Sequence, residues 1–473
     1  MKSFEKVKYQ NFILPIIVGL VFWLTTNFRP EGVTVNAWHM LAIFIATIIG
    51  CITLPLPIAG VTLIGFTIMI GVGLSPIDEA LGAFGNSSAW LIAMAFMISR
   101  GIIKSGLGRR IALYFVRTFG KKSLGLGYAI AGIDLIVSPA TPSNGARAGG
   151  VVYPLIQSLA QTFGSNPGDE TRKKMGAYLT FTEFQTNVIT SSLFMTACAP
   201  NLIAVALAGK VGVHLTWMGW LAASIVPAAI CLAVVPYFVY KMYPPTVKET
   251  PNAKEWADGE LAKMGAMTKP EKAMAAIFIL TLALWMFSSV IGLDATYIAF
   301  ISMSLLLITG ILTSNDVLHE SGAWNILIWL SILVFMAGKL TQFGLIKWLS
   351  DTISGSMKSL SWLTVLILLA LILFYTHYLF ASATAHNSAM YLPLLMVAIG
   401  AGAPKYMAAM FLALFSAIMG STTHYSSPAA SVLSASGFVK QGEWWKMSFV
   451  FGLFYIIVYG VIGLLWMKLI GLW

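Results

Sequence analysis

Apolar residues run along this chain in blocks long enough to cross a lipid bilayer, with polar residues confined to the joints and to a few points inside the blocks. A first span falls at residues 11–28. A tight pair follows at 37–51 and 58–74, parted by the breaker LPLP, and a further span begins at Trp90 and ends near Ile103. The segment GLGRRIALYFVRTFGKK then sets basic residues among apolar ones, which predicts an amphipathic helix lying along the membrane surface. Residues 123–163 are apolar at both ends but interrupted by Pro139, Pro142, Gly145 and the adjacent Gly149 and Gly150. That pattern predicts a re-entrant helical hairpin and not two full spans. Residues 175–208 form a long segment broken at ACAPN, and 214–243 form another span.

A polar linker at 243–272 divides the chain, and the pattern then recurs. Spans at 273–291 and 295–312 precede one at 324–340. A short basic surface helix, GLIKWLSDTI, follows, then a hairpin at 360–399, a segment at 407–436 broken at GSTTHY, and a last span at 445–469. The two hairpin tips also match in sequence. SNGARAGGVVYPL (143–155) aligns without a gap to SATAHNSAMYLPL (382–394), placing Ser143 on Ser382, Ala146 on Ala385, Pro154 on Pro393 and Leu155 on Leu394. Flanking features keep the same order: Trp90 matches Trp324, Gly106 and Leu107 match Gly344 and Leu345, and the two breaks correspond. Counted from a cytoplasmic N-terminus, Trp90 begins its span outside and Trp324 begins its span inside, so the halves are inverted. The expected fold is therefore all-α and polytopic, with about eleven transmembrane helices, two re-entrant hairpins and two broken helices in two inverted repeats, the architecture of secondary transporters. The chain divides into scaffold spans and a surface helix at 1–122, the first hairpin, broken helix and following span at 123–243, and a cytoplasmic linker at 244–272. A second scaffold part with its surface helix occupies 273–357, and the second hairpin, broken helix and last span occupy 358–473.

Composition agrees with a multi-pass membrane protein: of 473 residues, 58% are hydrophobic and only 10% charged. The excess of 29 Lys and Arg over 18 Asp and Glu does not call for nucleic acid. Arg100, Lys104, Arg109, Arg110, Arg117, Lys121 and Lys122 crowd one joint, and Lys248, Lys254, Lys263, Lys269 and Lys272 lie in the linker. These are the positions expected to remain cytoplasmic. A short basic N-terminal tail leads directly into the first span with no cleavable signal pattern. Cys51, Cys198 and Cys231 are far apart in apolar runs and suggest neither disulfides nor a metal site. The histidines lack metal spacing and no serine stands in a nucleophile-elbow context, so neither enzyme activity nor a cofactor is expected.

A helix that begins inside the membrane leaves backbone N–H groups without intrahelical partners and carries partial positive charge. Two hairpin tips and two breaks brought together would make an electropositive cage for an anion. Ser143, Asn144, Ser382 and Thr384 add donors there; the alternative is that such residues only cap their helices. Arg147 and His386 occupy matched positions, four residues after each serine. Arg147 reads as a fixed charge for a substrate carboxylate, or else as the ion-pair partner of Asp134 on the other limb. His386 reads as a titrating cation or as a neutral core histidine. Glu183, Gln185 and Asn187 read as packing or gating residues, and no chain of buried acids suggests a proton relay.

The stretches PATPSNGARAGGVVYP, LFMTACAPNLIA, SATAH and STTHYSSPAA resemble the divalent anion/sodium symporter family, and the resemblance covers essentially the whole chain. It is greatest to the exchanger branch of bacterial citrate/succinate antiporters and plastid 2-oxoglutarate/malate translocators. The resemblance implies di- or tricarboxylate substrates bound by Ser-Asn-Thr motifs at the two tips, here Ser143, Asn144 and Gly145 with Ser382, Ala383 and Thr384. Asn201 and Thr423 at the breaks join that expected site. It further implies a homodimer in the bacterial inner membrane whose transport domain slides like an elevator against a fixed scaffold. Family sodium sites use the asparagine of each motif. Gly145 replaces the first threonine and Ala383 the second asparagine, so the reading is a sodium-independent dicarboxylate exchanger. A sodium- or proton-coupled symporter, and an ion-translocating or sensory subunit, are the alternatives.

Overall fold

The computed structural model describes residues 7–345, 347–348, 352, 360–380 and 382–473. Helices account for most of this structure; among the described residues the one β feature is an isolated bridge between Lys122 and Glu249. Seven helices are long and apolar enough to cross a membrane: Val35–Thr53, Ser87–Ser105, Ser123–Ala140, Trp217–Met242, Ser321–Gln342, Trp362–Leu379 and Gln441–Leu469. Shorter apolar helices at Tyr9–Leu24, Ile58–Gly71, Ala199–Gly209, Ala295–Ile308 and Lys405–Ser421 lie among them. Large apolar side chains such as Ile13, Ile17, Leu280, Ile308 and Leu465 point outward, as a protein solvated by lipid requires.

The first interrupted segment is a hairpin. Its first limb, Ser123–Val137, continues as a short 3₁₀ turn, Ser138–Ala140, and the chain reverses through Thr141, Pro142 and Ser143. The second limb runs through Asn144–Arg147, a π-helical turn at Ala148–Val152, and Tyr153–Thr162. Pro154 has no N–H to give, and the widened turn just before it accommodates the missing bond. Both ends of the hairpin meet the same piece of linker. Ser123 N donates to Lys248 O at 3.0 Å and Thr250 N to Lys121 O at 3.0 Å, while Thr246 N and Val247 N donate to Lys173 O and Lys174 O at 2.9 and 3.2 Å. The linker thus meets the chain both just before this hairpin and after it.

The linker is more ordered than its polarity suggests. Asn252–Met264 is a helix that buries Ala253 and Ala257, one turn apart, against the amphipathic helix Leu107–Phe119. Arg109–Glu260 (2.7 Å) and Arg117–Asp258 (2.8 Å) lace the exposed edge. Arg110, one of the basic residues crowding the joint from Arg100 to Lys122, is buried and forked onto Glu271 at 2.7 and 3.1 Å. Half of the second surface helix, GLIKWLSDTI, lies outside the described residues.

Both expected breaks are present. Gly176–Leu193 stops at Phe194 and the chain resumes as Ala199–Gly209. Lys405–Ile418 passes through Met419–Ser421 and an irregular stretch before Pro428–Ala435. The second hairpin has limbs Trp362–Thr376 and Ala383–Gly400. Ser87–Ser105 packs along Ser321–Gln342, with the Trp90 and Trp324 rings edge to face at 6.3 Å. Gly106, which ends the former helix, has φ +81°, and Gly344, just beyond the latter, has φ +84°, a conformation that admits glycine at little cost.

Candidate functional site

The first tip is built around Arg147. Its side chain is fully buried, and every N–H of its guanidinium has an acceptor. Nε donates to Asp134 Oδ1 at 2.7 Å; Nη1 donates to the carbonyls of Thr141 (2.8 Å) and Ala197 (2.9 Å); Nη2 donates to Ser191 Oγ (3.0 Å), Thr190 Oγ1 (3.3 Å) and Asn187 O (3.5 Å). The expectation of an unpaired charge beside the substrate is therefore corrected: Arg147 is the ion-pair partner of Asp134 and staples the reversing chain at Thr141 to the first break at Ala197. The reason is stereochemical, since Arg147 ends the first turn after Ser143 and points back between the limbs.

His386 has the same task with weaker bonds. It is fully buried, with Nε2 3.0 Å from Thr376 Oγ1 and Nδ1 3.1 Å from Met419 Sδ, so it links the second hairpin's reversal to the second break. Its ring stacks on His377 at 5.1 Å and lies 4.2 Å from Phe380. His377 in turn bonds Ser426 O at 2.7 Å. The expectation of a titrating cation at the site gives way to a core histidine stapling tip to break.

The remaining tip residues face a different way. Ser143 and Ser382 each begin a helix and accept the backbone N–H three residues on, from Ala146 and Ala385, both at 3.2 Å. They are caps, yet only partly buried, and Ser382 also bonds the Thr384 hydroxyl at 2.8 Å. The Asn144 side chain is partly exposed; its carbonyl accepts from Asn187 Nδ2 at 3.4 Å. Gly145 is required by close approach: a Cβ there would stand 2.6 Å from Pro428 Cβ, so the first tip is seated on the second broken helix. Symmetrically, Asn387 in the second tip donates to Pro200 O, at 2.7 Å, in the first break. Ala383 is buried beside it.

Of the break residues, Thr423 is fully buried and its hydroxyl has no partner among the described residues. Asn201 lies at the first break. Its Nδ2 donates to Ser191 O (2.7 Å) and Phe194 O (3.0 Å), and its Oδ1 accepts from Cys198 Sγ (3.0 Å), so it closes the break. Sequence reading missed Asn387 and Pro428. Asn387 follows His386 directly and could have been noticed as a polar residue in the tip, but nothing local tells that Pro428 would meet Gly145.

The chain is similar over almost its whole length to known transport proteins. YflS of Bacillus subtilis (strain 168), provisionally named a malate transporter, is 46% identical over 468 residues, covering 99% of this chain and 98% of that one. The chloroplast dicarboxylate transporter 1 of Arabidopsis thaliana is 44% identical, covering 97% and 82%. The citrate/succinate antiporter of Escherichia coli (strain K12) is 33% identical, covering 98% of each. The fold is similar to the crystal structure of the YdaH transporter of Alcanivorax borkumensis, with TM-score 0.55, 14% identity and coverage of 82% and 87%. It also matches MtrF of Neisseria gonorrhoeae at TM-score 0.55 and 12% identity, covering 96% and 94%. The family model for the sodium:sulfate symporter transmembrane region matches residues 6–473. This chain, a multi-pass membrane protein, belongs to that family.

Proposed function

We propose that this protein exchanges dicarboxylates across the bacterial inner membrane, one acid inward against one outward, without sodium. The observation that carries the reading is the pair of polar tips. Ser143 with Asn144, and Ser382 with Thr384, each stand at the start of a helix and are partly exposed. Those helix starts supply N–H dipoles suited to carboxylates. The malate, dicarboxylate and citrate/succinate names of the relatives fit such a site. Gly145 on Pro428 and Asn387 on Pro200 form a crossed pair of contacts, the arrangement that two inverted repeats would produce. The hairpins and broken helices would form the moving part of an elevator, carried by a homodimeric scaffold, with the N-terminus in the cytoplasm.

The charge that opposes empty return is not Arg147, which Asp134 neutralises. It is the partial charge of the inward-facing helix starts, which a bound dicarboxylate offsets as the unit crosses a low-dielectric region. Ala383, where the family motif has asparagine, removes a ligand that a sodium site would need. Proteoliposomes loaded with succinate should take up labelled succinate in sodium-free buffer, and empty vesicles should take up little. Rapid uptake into empty vesicles, or a strict need for sodium, would replace exchange by symport.

A further inference from the structure

Two acids and one arginine are buried together beside the first tip, and their charges do not cancel. Asp134 accepts from Arg147 Nε at 2.7 Å, from Asn187 Nδ2 at 3.2 Å and from the Thr190 hydroxyl. Glu183, on the adjoining helix Gly176–Leu193, is equally buried, yet neither carboxyl oxygen receives a donor among the described residues. Asn187, one turn along the same helix, bonds Asp134 at 3.2 Å, which makes the two acids neighbours. Neither Asp134 nor Asn187 helps an ionised Glu183. Asp134 offers only acceptors, Asn187 Nδ2 is engaged by Asp134 and by Asn144 O, and the amide's Oδ1 is itself unpartnered. Arg147 has no N–H left to give.

We propose that Glu183 binds a proton, shared with Asp134, inside the unit formed by the first hairpin and first broken helix. One hydrogen between the two carboxyls supplies the missing donor and brings the acid–acid–arginine group to neutrality. Polar groups lie along the same helix around Glu183 and toward the linker end. Thr182 and Thr186 have unpartnered hydroxyls, and Tyr178 one turn below Thr182 lines a pocket of about 240 Å³ with Lys173 and Tyr243 at the linker end of the bundle. Other groups facing this helix do not replace the proton. They are Cys231 and Tyr240 from Trp217–Met242, Tyr128 from Ser123–Val137, Tyr455 and Tyr459 from the last span, Tyr153 from the second limb, Lys405 and Tyr406 at the far end of Lys405–Ile418, and Glu170, Arg172, Lys173 and Lys174 at its base. Pro428–Ala435 brings none.

The consequence is coupling. Without its proton the group carries a net negative charge beside the tip where an anion is proposed to bind, so proton and anion each favour the other's binding. This coupling rests on the proposed anion site; the proton itself does not. The test has two arms. Infrared spectroscopy of the intact protein in lipid should show a protonated carboxylic acid at neutral pH that disappears in Glu183→Gln. Succinate affinity of the wild type, measured where succinate stays fully ionised, should fall by up to about tenfold per pH unit on the alkaline side, and stay flat in Glu183→Gln. Absence of the infrared band from the wild type, its persistence in the variant, or a sodium requirement that vanishes with Glu183 would each overturn the proton site. If the variant does not fold, the wild-type band and its loss on alkaline titration decide alone. Failure of succinate to bind with the band present would overturn the coupling and the anion site but leave the proton in place.

Discussion

Arg147 and His386 occupy matched positions and hold matched parts together, but one does so with an ion pair and the other with neutral contacts. Breaking a buried pair from one side leaves an uncompensated charge, at a cost of about 3–5 kcal/mol. Arg147→Ala should therefore reduce the folded, monodisperse protein recovered from membranes and its melting temperature. Asn144→Ala should instead leave melting unchanged and weaken dicarboxylate binding by about 1–3 kcal/mol. Calorimetry beside a binding isotherm separates the two, and a normally stable Arg147→Ala that only binds weakly would return Arg147 to the substrate. Sequence could place both residues four positions after a serine, but could not say which way they point. Around a short helical turn, a side chain aimed between the limbs and one aimed at a cavity differ by a rotation that spacing leaves open. Asp134 was visible as a partner; Ser191, Ala197 and Thr141 were not, because backbone carbonyls at a reversal carry no signature in residue type.

At the scale of elements, hairpins and breaks were legible because Gly and Pro interrupt apolar runs, whereas the helix Asn252–Met264 was hidden by its polarity. Its buried stripe is only Ala253 and Ala257, too small to register as amphipathic. Such a helix depends on its charged edge. Hydrogen bonding from Lys263, with Arg109 adding to it, holds the Glu260 carboxyl below its ordinary value. The sign follows: the stabilisation is fully present above the unfolded value, about 4.3, and is lost as pH falls through the lower folded value. A spin label at Lys254, which is exposed, should be immobile at neutral pH and low salt and should loosen in acid or at high ionic strength. No change on acidification would mean the alanine stripe alone docks the helix.

For the whole molecule, alternation of spans assigns sides, and polar contacts between distant segments respect it. Lys104–Asp316, Arg172–Glu443 and the linker bonds belong to one end, Lys339–Glu79 and Ser87–Thr296 to the other. Cysteines at Lys254 and at Glu31, both exposed, should label from opposite faces of an intact membrane, and one at Lys405 should label with Glu31. Labelling of Lys254 and Lys405 from the same face would remove the inversion. The presence of apolar spans was readable from hydropathy, while the seating of Gly145 on Pro428 and of Asn387 on Pro200 was not, since it joins residues far apart in the chain. The closure of the first hairpin carries a meaning for how the protein is made. Ser123 Oγ donates to Val247 O, a partner 124 residues later, so the base of that hairpin is finished by chain that emerges long after the hairpin itself. During synthesis the tip must wait, already threaded into the bilayer but unfastened, until the ribosome has passed the linker; half a protein ending short of that point is not half a transporter.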